Sequence, residues 1–162
     1  MFSTKLVAER PHPCAARRDS MATYSTEIDS PRGQKDAFEY LATFSNALEW
    51  DPSVTEAEAM GSGPAQVGSV YRLGVRVAGR VVTFDYTVVA LERPSRVVLE
   101  ARHGLMTSRD TISVDAAGSG SRVRYDAVLE PRGVLRLAAP LVAKSFAKMA
   151  DRGAAGLRRA LA

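Results

Sequence analysis

The sequence predicts an α+β domain in which a curved antiparallel sheet of six to seven strands wraps around a long C-terminal helix. Two short helices follow the first strand. Three observations predict this. Residues 69–129 hold five segments rich in Val, Thr, Ile and Tyr, separated by turn signals such as Ala78-Gly79, Arg93-Pro94-Ser95 and Gly118-Ser119-Gly120. From Val134 the apolar spacing changes from a period of two to that of a helix and holds to the C-terminus. Finally, 162 residues at 46% apolar and 25% charged suit one domain with one core.

The elements follow in order. Ala22 to Ile28 alternates in character and reads as a strand. Ser30-Pro31 reads as a helix start, with Ser30 as cap and Pro31 at the first helical position. Ala37, Phe38, Leu41 and Ala42 recur at helical spacing. A second short helical turn begins at Asn46 and ends near Trp50-Asp51-Pro52, where proline disfavours helix at Asp51. Thr55 to Ala59 is a strand, and Gly61, Gly63, Pro64 and Gly68 mark a loop.

Strands are then expected at Ser69–Val77, Arg80–Glu92, Val97–Arg102, Thr107–Asp115 and Ser121–Leu129. Short turns between them imply an antiparallel meander. In the terminal helix, Leu141, Ser145, Phe146, Met149, Gly153, Gly156, Leu157 and Ala160 form one stripe, with Pro140 kinking it or lying in its first turns.

Residues 1–20 read either as a disordered leader or as a non-native extension, with Met21 then the natural start. They hold two prolines and scattered charge without periodicity, and Leu6-Val7-Ala8 is too short for a secretory signal. Residues 21–162 form the expected domain. Cys14 is the single cysteine, and His12 and His103 are the only histidines, so neither a disulfide nor a metal site is expected. No cofactor motif is present. Gly61-x-Gly63 lacks a third glycine, and there is neither a Walker-type lysine loop nor a Gly-x-Ser-x-Gly elbow. The longest uncharged apolar run, Leu137 to Ala143, is far shorter than the roughly 20 residues of a membrane span. These features suggest a cytoplasmic protein.

The net charge of +4 is carried by the ends of the chain. Residues 131–162 hold seven basic groups and only one acid, Asp151. Nucleic-acid binding is not expected, since basic residues are not interleaved with aromatics over the body. Arg136, Lys144, Lys148, Arg152 and Arg159 share one helical face, either simply solvated or docked on an acidic partner or anionic membrane.

The order of elements resembles the helix-grip fold of the START and birch-pollen-allergen superfamily. The sequence itself resembles the polyketide cyclase/dehydrase-like branch, the SRPBCC proteins. The residues that carry the resemblance are Phe38-Glu39-Tyr40-Leu41-Ala42, Phe44-Ser45-Asn46, Trp50-Asp51-Pro52, Val67-Gly68-Ser69, Glu92 to Val98 and Gly118 to Val123. The resemblance covers residues 21–162. It implies a cavity between sheet and helix, serving many ligands and some catalysts.

Candidate ligand-binding residues are read on that frame. Trp50, the only tryptophan, stacks on a ligand or plugs the open end of the sheet. Tyr71, Phe84, Tyr86 and Tyr125 share parity with apolar neighbours, as cavity wall or ordinary core. Ser145, Phe146 and Met149 lie on the helix stripe, where Gly153 and Gly156 make either room or a close approach. Arg102 or Arg109 suits an acidic ligand. Asp110 shares parity with Ile112 and Val114, so it is expected to point inward. With His103 it forms the candidate acid–base pair.

The reading favoured is a carrier, sensor or store for a small hydrophobic or aromatic molecule, as monomer or homodimer. The alternatives are a metal-free cyclase, aromatase or dehydratase, and a partner- or membrane-docking protein that uses the basic helix.

Overall fold

A computed structural model describes residues 21–162; the expectations for residues 1–20, including His12 and Cys14, lie outside the described residues. The strands are β1 (Ala22–Ser30), β2 (Val54–Ala59), β3 (Val70–Val77), β4 (Arg80–Glu92), β5 (Arg96–His103), β6 (Met106–Ala117) and β7 (Gly120–Pro131). The α-helices are α1 (Gln34–Ala42), α2 (Ala47–Trp50) and α3 (Ala139–Ala160), with 3₁₀ turns at Phe44–Asn46 and Gly133–Ala138. The seven strands form one sheet in the order β1-β7-β6-β5-β4-β3-β2, and every pairing is antiparallel. This is the helix-grip architecture.

The meander from β3 to β7 follows from its short connections. Ala78 and Gly79 both take positive φ, 49° and 81°, so the β3–β4 turn matches the right-handed twist of its strands. Register shifts at Val54/Glu56 and Val88/Ala90 bend the sheet. On the concave face, Leu73, Val88, Val97, Leu99, Ile112, Val114 and Val123 are buried against Phe38 and Leu41 of α1 and Leu157 of α3. The convex face carries cross-strand ion pairs such as Arg72–Asp85 at 2.8 Å.

Two local expectations are corrected. Ser30 ends β1 instead of capping α1, which starts at Gln34 with Gly33 as its N-cap. The Ser30 hydroxyl is engaged elsewhere: it donates to the Leu161 carbonyl at 2.6 Å and accepts from the Arg32 N–H at 3.1 Å. With Arg32 donating to the Ala160 carbonyl at 2.6 Å, the C-terminal end of α3 is tied to the end of β1. The second correction concerns the helix stripe. Phe146, Gly153, Gly156 and Leu157 are buried, but Leu141 is 69% exposed and Ser145 is also exposed. The C-terminal half of α3 is gripped by the sheet, while its first turns, with Pro140 at the start, overhang an opening.

Candidate functional site

Between the sheet and α3 lies a cavity of about 570 Å³. Small residues set how closely α3 approaches. A Cβ on Gly156 would lie 1.7 Å from the Trp50 carbonyl oxygen, so only glycine lets the helix backbone rest on the end of α2. Gly153 is less constrained: a Cβ there would make ordinary contact, 3.5 Å, with the Asp51 carboxyl. Of the two readings of these glycines, close approach describes Gly156.

The cavity wall is mainly apolar. It includes Leu73, Val75, Ala127 and Leu129 from the sheet and Phe146, Met149 and Leu157 from the helix. Its aromatic rings are linked edge to face. Phe44 lies 5.0 Å from Tyr86 and 6.5 Å from Trp50, and Trp50 lies 5.9 Å from Tyr125. Of the residues selected from the sequence, Trp50, Phe84, Tyr86, Asp110, Tyr125, Ser145, Phe146 and Met149 are brought together here.

Tyr71 and Arg102 are not. Tyr71 opposes Tyr86 in the ladder, but it is buried outside this cavity, beside the loop of Gly61, Gly63 and Gly68. Arg102 is exposed opposite Thr107. Arg109, the other candidate for an acidic ligand, is paired with Glu100 on the convex face. His103 packs its exposed ring 5.4 Å from Phe84 and sits opposite Met106, whereas Asp110 sits opposite Leu99. Four strand positions, roughly 13 Å, therefore separate the proposed acid–base partners. The structure does not assemble that pair.

A different polar group is assembled instead. Asp110 is only 4% exposed, and its neighbours on the concave face are Ser108, Tyr86 and Tyr125. Burial, followed by repulsion from Asp51, raises its pKa to about 7, against partial relief from hydrogen bonds with the Tyr125 and Tyr86 hydroxyls. The Tyr86 hydroxyl lies 3.3 Å from the Ser108 hydroxyl. Burial pushes both tyrosines upward as well, with Asp110 the next cause. Asp51 is shifted upward by burial, although it accepts bonds from the Ser53 N–H at 2.8 Å and the Ser53 hydroxyl at 2.6 Å. The result is an acidic pole inside an apolar chamber. A carboxyl poised near neutrality can donate or accept a proton, or bind a hydrogen-bond donor.

Asp51 and Ser108 were missed as site residues. Asp51 braces the turn after α2 by accepting from Ser53, and it also faces the cavity. Ser108 shares the parity of Asp110 and Ile112, which marks it in the sequence as inward-facing. The opening is rimmed by exposed Arg76, Lys148 and Arg152 together with Leu141.

A single-layer sheet closed on a long helix, with an interior chamber, defines the helix-grip, START-like class of fold. Residues 21–162 match the family described as polyketide cyclase / dehydrase and lipid transport, and the chain belongs to it. Among solved structures, it is similar to a START superfamily protein from Mycobacterium smegmatis, at 15% identity and a TM-score of 0.68, over 87% of this chain and 96% of that one. It is also similar to the Zhui aromatase/cyclase from Streptomyces sp. R1128, at 14% identity and a TM-score of 0.69, over 87% of this chain and 91% of that one. A third likeness is the di-domain aromatase/cyclase StfQ of the steffimycin biosynthetic pathway, at 12% identity and a TM-score of 0.69, over 90% of this chain and 52% of that one. No curated protein sequence matches it. At these identities the structures establish the fold alone. Among the described residues, no helix is long and apolar enough to cross a membrane.

Proposed function

We propose that the protein encloses a small, largely apolar or aromatic molecule in the cavity between the sheet and α3, as a carrier, sensor or store. The observation that carries this reading is the chamber of about 570 Å³, apolar and aromatic along its walls and polar at one pole. The family, whose members include cyclases and lipid transporters by its description, supports it. Native mass spectrometry of protein purified gently from its host tests it, together with titration of the fluorophore N-phenyl-1-naphthylamine. A released small molecule, or saturable probe binding abolished by Ala127→Trp in a variant that still melts cooperatively, is the expected result. A clean unliganded mass combined with no probe binding overturns the reading.

The catalytic alternative is left without its His103–Asp110 pair; its proton-transfer groups would be Asp110 and Tyr125. The docking alternative has a specific observation in its favour. Val134, Leu137 and Leu141 are 73%, 89% and 69% exposed, and Lys144, Lys148 and Arg152 are exposed on the adjoining turns. Apolar side chains framed by cations suit an anionic bilayer, and they stand beside the cavity mouth. Cosedimentation with phosphatidylglycerol vesicles should be salt-sensitive and weakened by Leu137→Ser. Binding that is absent, or indifferent to both, overturns this second reading.

A further inference from the structure

The chamber has an asymmetry that an apolar ligand leaves unused. Its two lining carboxyls, Asp51 and Asp110, belong to the interior, and Asp110 is almost wholly buried. Its lining cations, Arg76, Lys148 and Arg152, are all exposed at the rim among the described residues. Both carboxyls face the same chamber, where the charge of Asp51 adds to burial in raising the pKa of Asp110. The same chamber is lined by Phe44, Trp50, Tyr86 and Tyr125, the two tyrosines hydrogen-bonded to Asp110, and aromatic rings attract a cation placed over their faces. We infer that the chamber selects an aromatic or hydrophobic molecule bearing a basic nitrogen, with the ammonium seated between Asp51 and Asp110 and the apolar part against the ring and aliphatic walls.

This inference rests on the cavity-binding reading and adds a ligand class to it. An ammonium relieves the repulsion between the two carboxyls and replaces the water that burial removes from Asp110. The groups facing Asp110 are Ser108 on its own strand, Tyr86 of β4, Tyr125 of β7 and Asp51 after α2; none of them is a cation. The rim cations would favour an anion, but they stand in water, where such contacts are weak and screened. The desolvated pole therefore outweighs the rim.

Three isosteric probes test this on the full chain at pH 8: 1-naphthylmethylamine, 1-naphthylmethanol and 1-naphthoate, each titrated calorimetrically. The amine is expected to bind at least about tenfold more tightly than the alcohol, with the carboxylate weakest. Asp110→Asn should bring the amine-to-alcohol ratio to within about threefold, whereas Asp85→Asn on the convex face keeps the wild-type ratio. Asp51→Asn provides a second reading of the pole, and a thermal melt verifies each fold. Amine and alcohol binding equally, or the carboxylate binding best, overturns the ligand class while leaving the cavity-binding reading in place. Failure of all three probes to bind overturns the ligand class, and it overturns the cavity-binding reading as well only when joined by a clean unliganded mass and no N-phenyl-1-naphthylamine binding. The wild-type ratio decides the matter even if a variant does not fold.

Discussion

Asp85 and Asp110 are the same residue on one sheet, and they behave as different chemical groups. Asp85 projects from the convex face, where the Arg72 guanidinium holds it in a two-pronged pair at 2.8 and 3.0 Å and lowers its pKa. Asp110 projects from the concave face, where burial and a second carboxyl raise its pKa to about 7. The difference lies in which side of the pleat each occupies and what stands opposite. Water and an arginine stabilise the first charge. Rings, hydroxyls and Asp51 surround the second. The concave face turns ordinary side chains into a site; the convex face leaves them as surface.

The largest expected effect tests the concave face at its tightest point. In an exposed helix, Gly→Ala stabilises by roughly 1 kcal/mol. At Gly156 the new Cβ would meet the Trp50 carbonyl oxygen at 1.7 Å, so α3 has to move away from α2. Gly156→Ala should destabilise by at least about 3 kcal/mol in urea unfolding, or prevent folding altogether. A stabilising effect would show that α3 does not rest on α2.

The next tests the charge on Asp110. The folded chain keeps this proton up to about pH 7, while the unfolded chain releases it near the ordinary value of 3.8. Between those values the folded state holds the extra proton, so the contribution of Asp110 to stability is greatest below about pH 4 and falls as pH rises towards 7. The loss is on the order of 4 kcal/mol, and Asp51, also shifted upward, acts in the same direction. Asp110→Asn should flatten most of this slope and melt higher than wild type at pH 8. Parallel pH profiles for the two proteins would contradict the burial of this charge.

A smaller effect is expected at the tie between β1 and α3. Ser30→Ala removes the donor to the Leu161 carbonyl and leaves a buried acceptor unpaired, for about 1–2 kcal/mol by denaturant titration. The smallest effect lies on the convex face. Asp85→Asn should shift the Tm at neutral pH by no more than about 2 °C, because an exposed pair contributes little. A shift as large as that at Asp110 would erase the contrast between the faces.

Much of this contrast was legible in the residue order. Alternation puts Tyr71 and Leu73 on one side of β3 and Arg72 on the other, as the burial of the first two and the exposure of the third show. The inward parity of Asp110, shared with Ile112 and Val114, also matches its buried position. Where a local rule failed, a distant contact had taken precedence. Ser30-Pro31 has the form of a helix start, but Ser30 lies against the far end of the chain and its hydroxyl serves Leu161. Likewise His103 and Asp110 sit near one hairpin in sequence, yet extended backbone holds them roughly 13 Å apart.

By itself the sequence determined the element order, the antiparallel meander and the faces of its strands, because periodicity and turn chemistry act over a few residues. Only the tertiary structure decided which inward residues meet. It brought Asp51, from the joint between α2 and β2, beside Asp110 of β6, and it withdrew Tyr71 and Arg102 from the chamber. Sheet curvature and the seating of Gly156 on Trp50 set those distances, through long-range packing that no local pattern encodes.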